Sequence, residues 1–285
     1  MNEASTSSVN TLKLTLDLDA TNLLERLLWK GEQLKALTDE LIRRKWHNHK
    51  HILIAALPKS GSTLLWRLLE KITGYHRFHL CVDTGSNEQV IDRSVIPAFL
   101  SVDTITRQHL RASEENVGLL SLMDARVIVL ARDMCDMIIS LYDFINKGHS
   151  KSPVLIVTDE YRKMDERTKL DYLIDFAIPW YLHMYISWLE AERMGFRVKH
   201  VGYEALMGDP KRIVTECLEF CGIQAGQASI EKALTEARSD SFRGETRFNK
   251  GIIGRGKDLL SSEQQARIKS FGRFFPDYDL SPIGM

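Results

Sequence analysis

Six consecutive residues, Pro58-Lys59-Ser60-Gly61-Ser62-Thr63, bring one positive charge, one glycine and three hydroxyls together. Set between a strand and a helix, such a loop turns backbone N–H groups and a helix N-terminus toward a phosphate. The spacing is not the G-x-x-x-x-G-K-S/T of a Walker A loop, because the lysine precedes the glycine. Taken alone, the stretch fits an ordinary strand-to-helix turn with an exposed lysine equally well. A second pair, Arg132 and Ser140, flanks the start of another apolar helical stripe. A guanidinium can fork onto a phosphate, and a serine can add a second donor. Separately, Arg132 also suits an ion pair with Asp133 or Asp136, and Ser140 a serine bonding back to its own helix. The third group is Arg107-Gln108-His109. An imidazole titrating near neutral pH can take a proton from a nucleophile. The chain has nine histidines, and a lone one is more commonly structural or solvated. His109 stands out because it closes a predicted strand, where ligand crevices open in parallel sheets.

These groups need a scaffold, and the flanking pattern predicts one. Ile52 to Leu57 reads as a buried strand, and Leu65, Leu68, Leu69 and Ile72 as a helix ended by Gly74. Residues 76 to 83 and 104 to 110 read as short strands, with a helix from about Glu88 to Leu100 between them. Residues 112 to 123 are helix or loop. Arg126 to Ala131 is a β-branched strand, followed by a stripe of Met134, Met137, Ile138, Leu141 and Ile145 with Asp133 as N-cap and Asp136 in the first turn. Residues 146 to 168 read as an insertion or mobile loop. Leu170 to Met194 reads as an aromatic helix, kinked or split at Pro179. Arg197 to Tyr203 is a third buried strand, Asp209-Pro210 caps a helix over 213–221, and a last helix runs from Ser262 to about Phe271. The N-terminal 1–48 reads as an arm and an amphipathic helix (Leu23, Leu24, Leu27, Leu28, Leu34, Leu37, Leu41) packed on the core. Residues 49–285 read as one α/β domain: a central, mostly parallel sheet flanked by helices, with a P-loop-like anion loop.

Composition sets the bounds. The 285 residues are 44% hydrophobic, enough for a sizeable core, and 38 basic residues balance 38 acidic ones. That balance gives no electrostatic case for a nucleic-acid or membrane-surface binder. No apolar run reaches the roughly 18 residues of a membrane span, and the N-terminus lacks the charged and apolar regions of a signal peptide. The four cysteines, Cys81, Cys135, Cys217 and Cys221, show no metal-ligand spacing and read as core thiols of a reducing, cytoplasmic compartment.

The separated pieces share an order. Pro58 to Thr63 (PKSGST), Arg132 with Ser140 in ARDMCDMIISLYDF, the Arg107-Gln108-His109 triplet, Tyr203-Glu204 before Asp209-Pro210, and Asn249-Lys250-Gly251 with Gly254 span nearly the whole core. In this order the chain resembles the cytosolic-type, small-molecule sulfotransferase family, which uses 3′-phosphoadenosine 5′-phosphosulfate (PAPS). The resemblance implies that Lys59, Ser60, Gly61, Ser62 and Thr63 hold the 5′-phosphosulfate, and that Arg132 and Ser140 hold the 3′-phosphate. It implies further that Lys250 and Gly251 close over that phosphate, that Tyr203, Ser241 and Phe242 line the adenine, and that His109 is the general base. Lys59 would then stabilise the leaving phosphate and Arg107 the sulfuryl oxygens, without a metal. Three positions depart from the family pattern: Leu64 stands where an aromatic residue stacks on adenine, Arg107 replaces a lysine, and Arg255-Gly256 replace the end of the late basic loop.

The acceptor is a small molecule offering a hydroxyl or an amine-type nitrogen. Its pocket is expected from residues 83–100 and 143–168, whose Asp83, Glu88, Asp92, Asp143, Asp159 and Glu160 suggest a polar, cationic acceptor. Nucleic-acid and membrane partners are not expected, and a homodimer stays open. Two other readings of the loop remain: an ATP-dependent small-molecule kinase, for which no Mg²⁺-holding acidic motif is evident, and a non-catalytic nucleotide binder on the same fold.

Overall fold

The computed structural model describes residues 49–81, 89–149, 154–237 and 252–285. The N-terminal arm and its helix, and the predicted site residues Ser241, Phe242, Lys250 and Gly251, lie outside the described residues, as do Asp83 and Glu88.

The core is a five-stranded sheet: β1 (His51–Ala56), β2 (His76–Arg77), β3 (Thr104–Gln108), β4 (Arg126–Ala131) and β5 (Val198–Gly202). The order is β2-β3-β1-β4-β5 and every pairing is parallel. β1 is buried along its whole length, as expected of an apolar run between helical layers. Its side chains alternate between two cores. Leu53, Ala55 and Leu57 join one, with Val127 and Val129; Ile52, Ile54 and Ala56 join the other, with Ile128 and Leu130. Each such buried leucine, isoleucine or valine side chain contributes about 1.5–3 kcal/mol.

Eleven α-helical segments cover the sheet among the described residues. In chain order they are α1 (Ser62–Thr73), α2 (Ile96–Phe99), α3 (Glu114–Leu122), α4 (Met134–Asn146), α5 (Asp159–Lys163), α6 (Glu166–Arg193), α7 (Tyr203–Gly208), α8 (Pro210–Phe220), α9 (Gln227–Glu236), α10 (Arg255–Leu259) and α11 (Ser262–Ser270). α1, α8 and α9 pack on one face through Leu65, Leu68, Leu69, Ile213, Val214 and Ile230. α4 and α6 pack on the other through Met137, Ile138, Leu141, Leu173, Ile174 and Trp188.

Several local expectations change. α6 runs through Pro179 as one helix of 28 residues; its side chains Ala177, Ile178, Tyr181 and Leu182 around the proline are buried, so packing outweighs the one lost backbone bond. The strand expected over 76–83 shortens to two residues, and the helix expected over 88–100 to a 3₁₀ turn plus α2. The stretch expected as a loop contains α5, capped by Thr158. α7 begins at Tyr203, directly where the strand was expected to end. The four cysteines are free and buried, and burial pushes the thiols of Cys217 and Cys221 up to about 12. Among the described residues no helix is long and apolar enough to cross a membrane.

Candidate active site

The connection from β1 runs toward β2 on one side of the sheet, and the chain leaving β4 runs toward β5 on the other. The carboxyl ends of β1 and β4 therefore flank the switch point where open parallel sheets bind ligands. Leu57 N donates to Leu130 O across that seam at 3.2 Å, so the two loops leaving it are fixed side by side.

The first loop is tight and strained. Lys59 sits at φ 72° and Gly61 at φ 86°. The left-handed region costs an ordinary L-residue about 1–2 kcal/mol, and such strain concentrates at functional sites. Ser60 closes the turn: its backbone N–H and its hydroxyl both donate to Leu57 O, at 3.1 and 2.6 Å. Its hydroxyl is thus turned inward, away from the ligand role expected for it. Gly61 is the N-cap of α1 and provides no side-chain cap. The N–H groups of Ser62 and Thr63 consequently have no intrahelical partner and stand at the positive end of the helix. The Tyr203 ring lies so close to Gly61 that a Cβ there would overlap it.

His109 follows β3. Its Nδ1 lies 2.7 Å from Ala56 O. A carbonyl can only accept, so Nδ1 carries the proton and the neutral ring presents its lone pair at Nε2. Burial, with lesser contributions from the charges of Arg107 and Lys59, holds His109 down to about 4. Gln89 Oε1 accepts the His109 backbone N–H at 2.6 Å. From α6, Trp188 Nε1 donates to Leu110 O at 2.9 Å, and Ser187 Oγ accepts from Ala112 N–H at 3.0 Å. Gln89, Ser187 and Trp188 thus fix the segment that carries His109. Sequence reasoning did not find them, since each acts across 20 to 78 residues of chain.

Around that ring the structure gathers cations. Arg107 donates to Thr63 Oγ1 and lies over Trp66, 5.2 Å from its ring centre. Lys59 Nζ lies 4.2 Å from the centre of Phe144, which stacks on His149 at 4.2 Å. Lys59, Arg107 and His109 are therefore brought together as the triplet and loop suggested. Trp66 packs with Arg77 and Arg107, and Leu64 lies at the margin of the apolar core.

The second loop leaves β4. Arg132 is 7% exposed and lies over Tyr203, 4.3 Å from the ring centre. Its Nη2 donates to Asp136 Oδ2 at 2.9 Å and to Ile252 O at 3.0 Å. Its Nε is buried without a partner among the described residues. Ser140 is buried one helical turn beyond Asp136. Asp133 caps α4 by accepting Asp136 N–H at 3.0 Å, and its own N–H is taken by Glu204 at 3.2 Å. Tyr203 thus touches both loops at once, and Glu204 fixes the second.

Among the described residues, four of the acids expected at the acceptor pocket are placed as follows. Asp143 pairs with Arg255 at 2.8 Å and Glu160 with Lys163 at 2.7 Å. Asp92 caps its own 3₁₀ turn through Ser94, and Asp159 lies in the first turn of α5.

Comparison with known proteins gives one family. The sulfotransferase domain family matches residues 49–273. Cytosolic sulfotransferase 14 of Arabidopsis thaliana is 25% identical over 212 residues, which cover 66% of this chain and 58% of that protein. The chain thus spans a little over half the length of this curated relative. A mouse sulfotransferase solved with PAP superposes with a TM-score of 0.61 at 15% identity, over 85% of this chain and 90% of its own. Retinol dehydratase, solved with androsterone and the inactive cofactor PAP, gives 0.60 at 14% identity, over 85% and 86%. At these identities the likeness to the solved structures is one of fold.

Proposed function

The chain belongs to the sulfotransferase domain family, and from that premise we propose that it moves a sulfuryl group from PAPS to a hydroxyl or amine-type nitrogen of a small molecule. The observation that carries this reading is the Nε of Arg132, buried and without a partner among the described residues, with the N-terminus of α1, which has no side-chain cap, on the same Tyr203 ring. A buried donor left unpaired costs about 1–3 kcal/mol, and an arginine one more typically seeks an anion. Two anion seats on either side of one aromatic ring fit a nucleotide with two phosphate-bearing ends.

When bound, PAPS supplies an activated sulfuryl group at its 5′ end. The N–H groups of Ser62 and Thr63 and the Lys59 ammonium hold that end, Ser60 shapes the loop, and Gly61 leaves room for Tyr203. Arg132, with Ser140, takes the 3′-phosphate. Tyr203 lies beside the adenine, while Ser241, Phe242, Lys250 and Gly251 complete the cover by resemblance. His109 Nε2 accepts the acceptor's proton as it attacks. The cations that depress its basicity are the ones an anionic donor would offset, so His109 becomes a stronger base once the donor is seated. Lys59 stabilises charge on the leaving phosphate and Arg107 the transferring oxygens.

Phe144, beside Lys59 and stacked on His149, gives the acceptor side an aromatic wall, which suits an acceptor with a flat or apolar body and, through the ring face, equally a cationic one. Residues 49–285 form the sulfotransferase domain in this reading, preceded by the 1–48 arm, in a cytosolic protein.

The test is an incubation of the full chain with PAPS and a panel of phenols, alcohols and amines, read by mass spectrometry for a sulfate adduct. PAP and Mg-ATP are titrated calorimetrically in parallel. The expected result is PAP binding and at least one sulfated acceptor. Magnesium-dependent ATP turnover without PAP binding would replace this reading with a kinase, and PAP binding with no adduct across the panel with a nucleotide binder.

A further inference from the structure

Asp136 is an acid in a place that should repel a phosphate. It lies one helical turn from Arg132, on the first turn of α4, and is 1% exposed. Three donors already occupy its carboxylate. Oδ2 takes Arg132 Nη2 and the Gly254 N–H, each at 2.9 Å, and Oδ1 takes the Gly256 N–H at 2.7 Å. Arg132 reaches the same segment from its other hydrogen, through Ile252 O at 3.0 Å. The ion pair and the backbone of 252–256 therefore form one closed bracket, 120 residues apart in sequence.

The glycines are what let the segment come this close. A Cβ on Gly256 would overlap the carbonyl carbon and Cβ of Cys135, and Gly254 sits at φ 87°. Two turns further along α4, Arg255 pairs with Asp143 at 2.8 Å. The charge of the Asp136 carboxylate is compensated by the Arg132 guanidinium at 2.9 Å and by two backbone N–H dipoles, which reduces its repulsion of an incoming anion. What it does is fix the direction of a planar guanidinium whose remaining edge must meet a ligand.

We propose that Asp136 is a positioning residue of the donor site: it locks Arg132 and the 252–256 backbone into one preformed unit, so that donor affinity depends on a carboxylate that does not touch the donor. The proposal rests on the reading that Arg132 receives the 3′-phosphate.

Its test compares the wild-type chain with Asp136→Asn, which removes the charge and one acceptor, and with Gly256→Ala, which expels the segment but leaves carboxylate and arginine in place. In both variants PAP affinity should fall roughly 30- to 100-fold, as expected for losing preorganised charge-assisted bonds, with the KM for PAPS rising in step. Turnover at saturating PAPS should stay within about threefold and the acceptor KM should not move, since uniform donor binding alone is lost. PAP affinities within about twofold of wild type in both variants would overturn the proposal. So would the pattern of a purely structural role, a lowered Tm and kcat with the KM for PAPS unchanged. If Asp136→Asn does not fold, Gly256→Ala decides alone. A wild-type chain that binds PAP while Arg132→Ala binds it equally well would instead sink the assignment of Arg132, a separate result.

Discussion

β1-loop-α1 and β4-turn-α4 are the same unit built twice, side by side at one sheet edge, and they treat the N-terminus of their helix in opposite ways. α1 starts at a left-handed glycine with no side-chain cap, after a lysine held at φ 72°. α4 starts at Asp133, whose carboxylate caps it, and carries Asp136 in its first turn. The first helix leaves its positive end open to an external anion. The second fills that end with its own carboxylates and sets the guanidinium of Arg132 against one of them. The charges acting on His109, beside the first unit, are the cations of Lys59 and Arg107, whereas the charge paired with Arg132 in the second is negative. The difference separates two tasks: the open, strained end is suited to a group whose charge changes during transfer, the closed, compensated end to a phosphate that is only held.

The strongest break of this comparison is His109→Ala. It should lower kcat by about 10²–10⁴, the usual contribution of a general base, while PAP affinity stays within about threefold; loss of PAP binding instead would merge the two tasks. The same residue gives a pH signature. Its folded value, about 4, lies below the ordinary 6.5 because of burial first and cations second. Between those values the unfolded chain binds more protons, so stability is present above about 6.5 and drains as pH falls toward 4. His109→Gln should flatten that part of the stability profile. NMR titration of the imidazole should show its pKa rising when PAP is added.

Next in size is Gly61→Asp, which converts the open end into a copy of the closed one. An internal carboxylate at α1 should compete with the donor and displace Tyr203, weakening PAP by about 100-fold, the scale of one or two charged hydrogen bonds. Calorimetry that finds PAP binding unchanged would mean that the α1 end is not an anion seat. The reciprocal change, Asp133→Ala, uncaps α4. It should cost about 1 kcal/mol of stability, as other N-caps do, and alter PAP binding by less than about threefold if Arg132 and Ser140, and not the helix end, receive the phosphate there. A loss as large as that of Gly61→Asp would make the two units equivalent.

What the sequence revealed of this pair follows from locality. The strand–loop–helix order, the alternation along β1 and β4, the Asp133 cap and the gathering of Lys59, Arg107 and His109 at adjacent strand ends are all set by residues within a few positions, or by strand ends that a parallel sheet must align. The features that escaped depend on which atoms the fold brings face to face, mostly across distant segments and in one case within a single turn. Asp136 read as a favourable first-turn acid, but its partners Gly254 and Gly256 lie about 120 residues on. Ser60 read as a ligand hydroxyl, but the turn folds it back onto Leu57. Asp143 read as an acceptor-pocket acid, yet Arg255, 112 residues on, is brought beside it and pairs with it. α6 passed through Pro179 because tertiary burial, invisible to a local rule, outweighs the missing N–H.

The smallest effect bears on strain, and it isolates the backbone from the charge. Lys59→Ala and Lys59→Gly both remove the ammonium and its contact with Phe144, so both should lose sulfuryl transfer, and the difference between them reads only the left-handed φ. At an ordinary loop position alanine is the more stable of the two by about 0.5–1 kcal/mol, because glycine gives up more freedom on folding. At φ 72° the order should invert. Alanine keeps a penalty of about 1–2 kcal/mol for the left-handed region, which glycine escapes, leaving the glycine variant ahead by up to about 1 kcal/mol in urea or thermal melts. If alanine is as stable as glycine or more so, the loop relaxes at no cost and holds no strain. The open end would then differ from the closed one only in its missing cap. If glycine is ahead, the chain is tolerating a backbone penalty at Lys59 that a smaller residue would remove, and only the charge that Lys59 brings to the 5′ end of the donor explains why a lysine stands there.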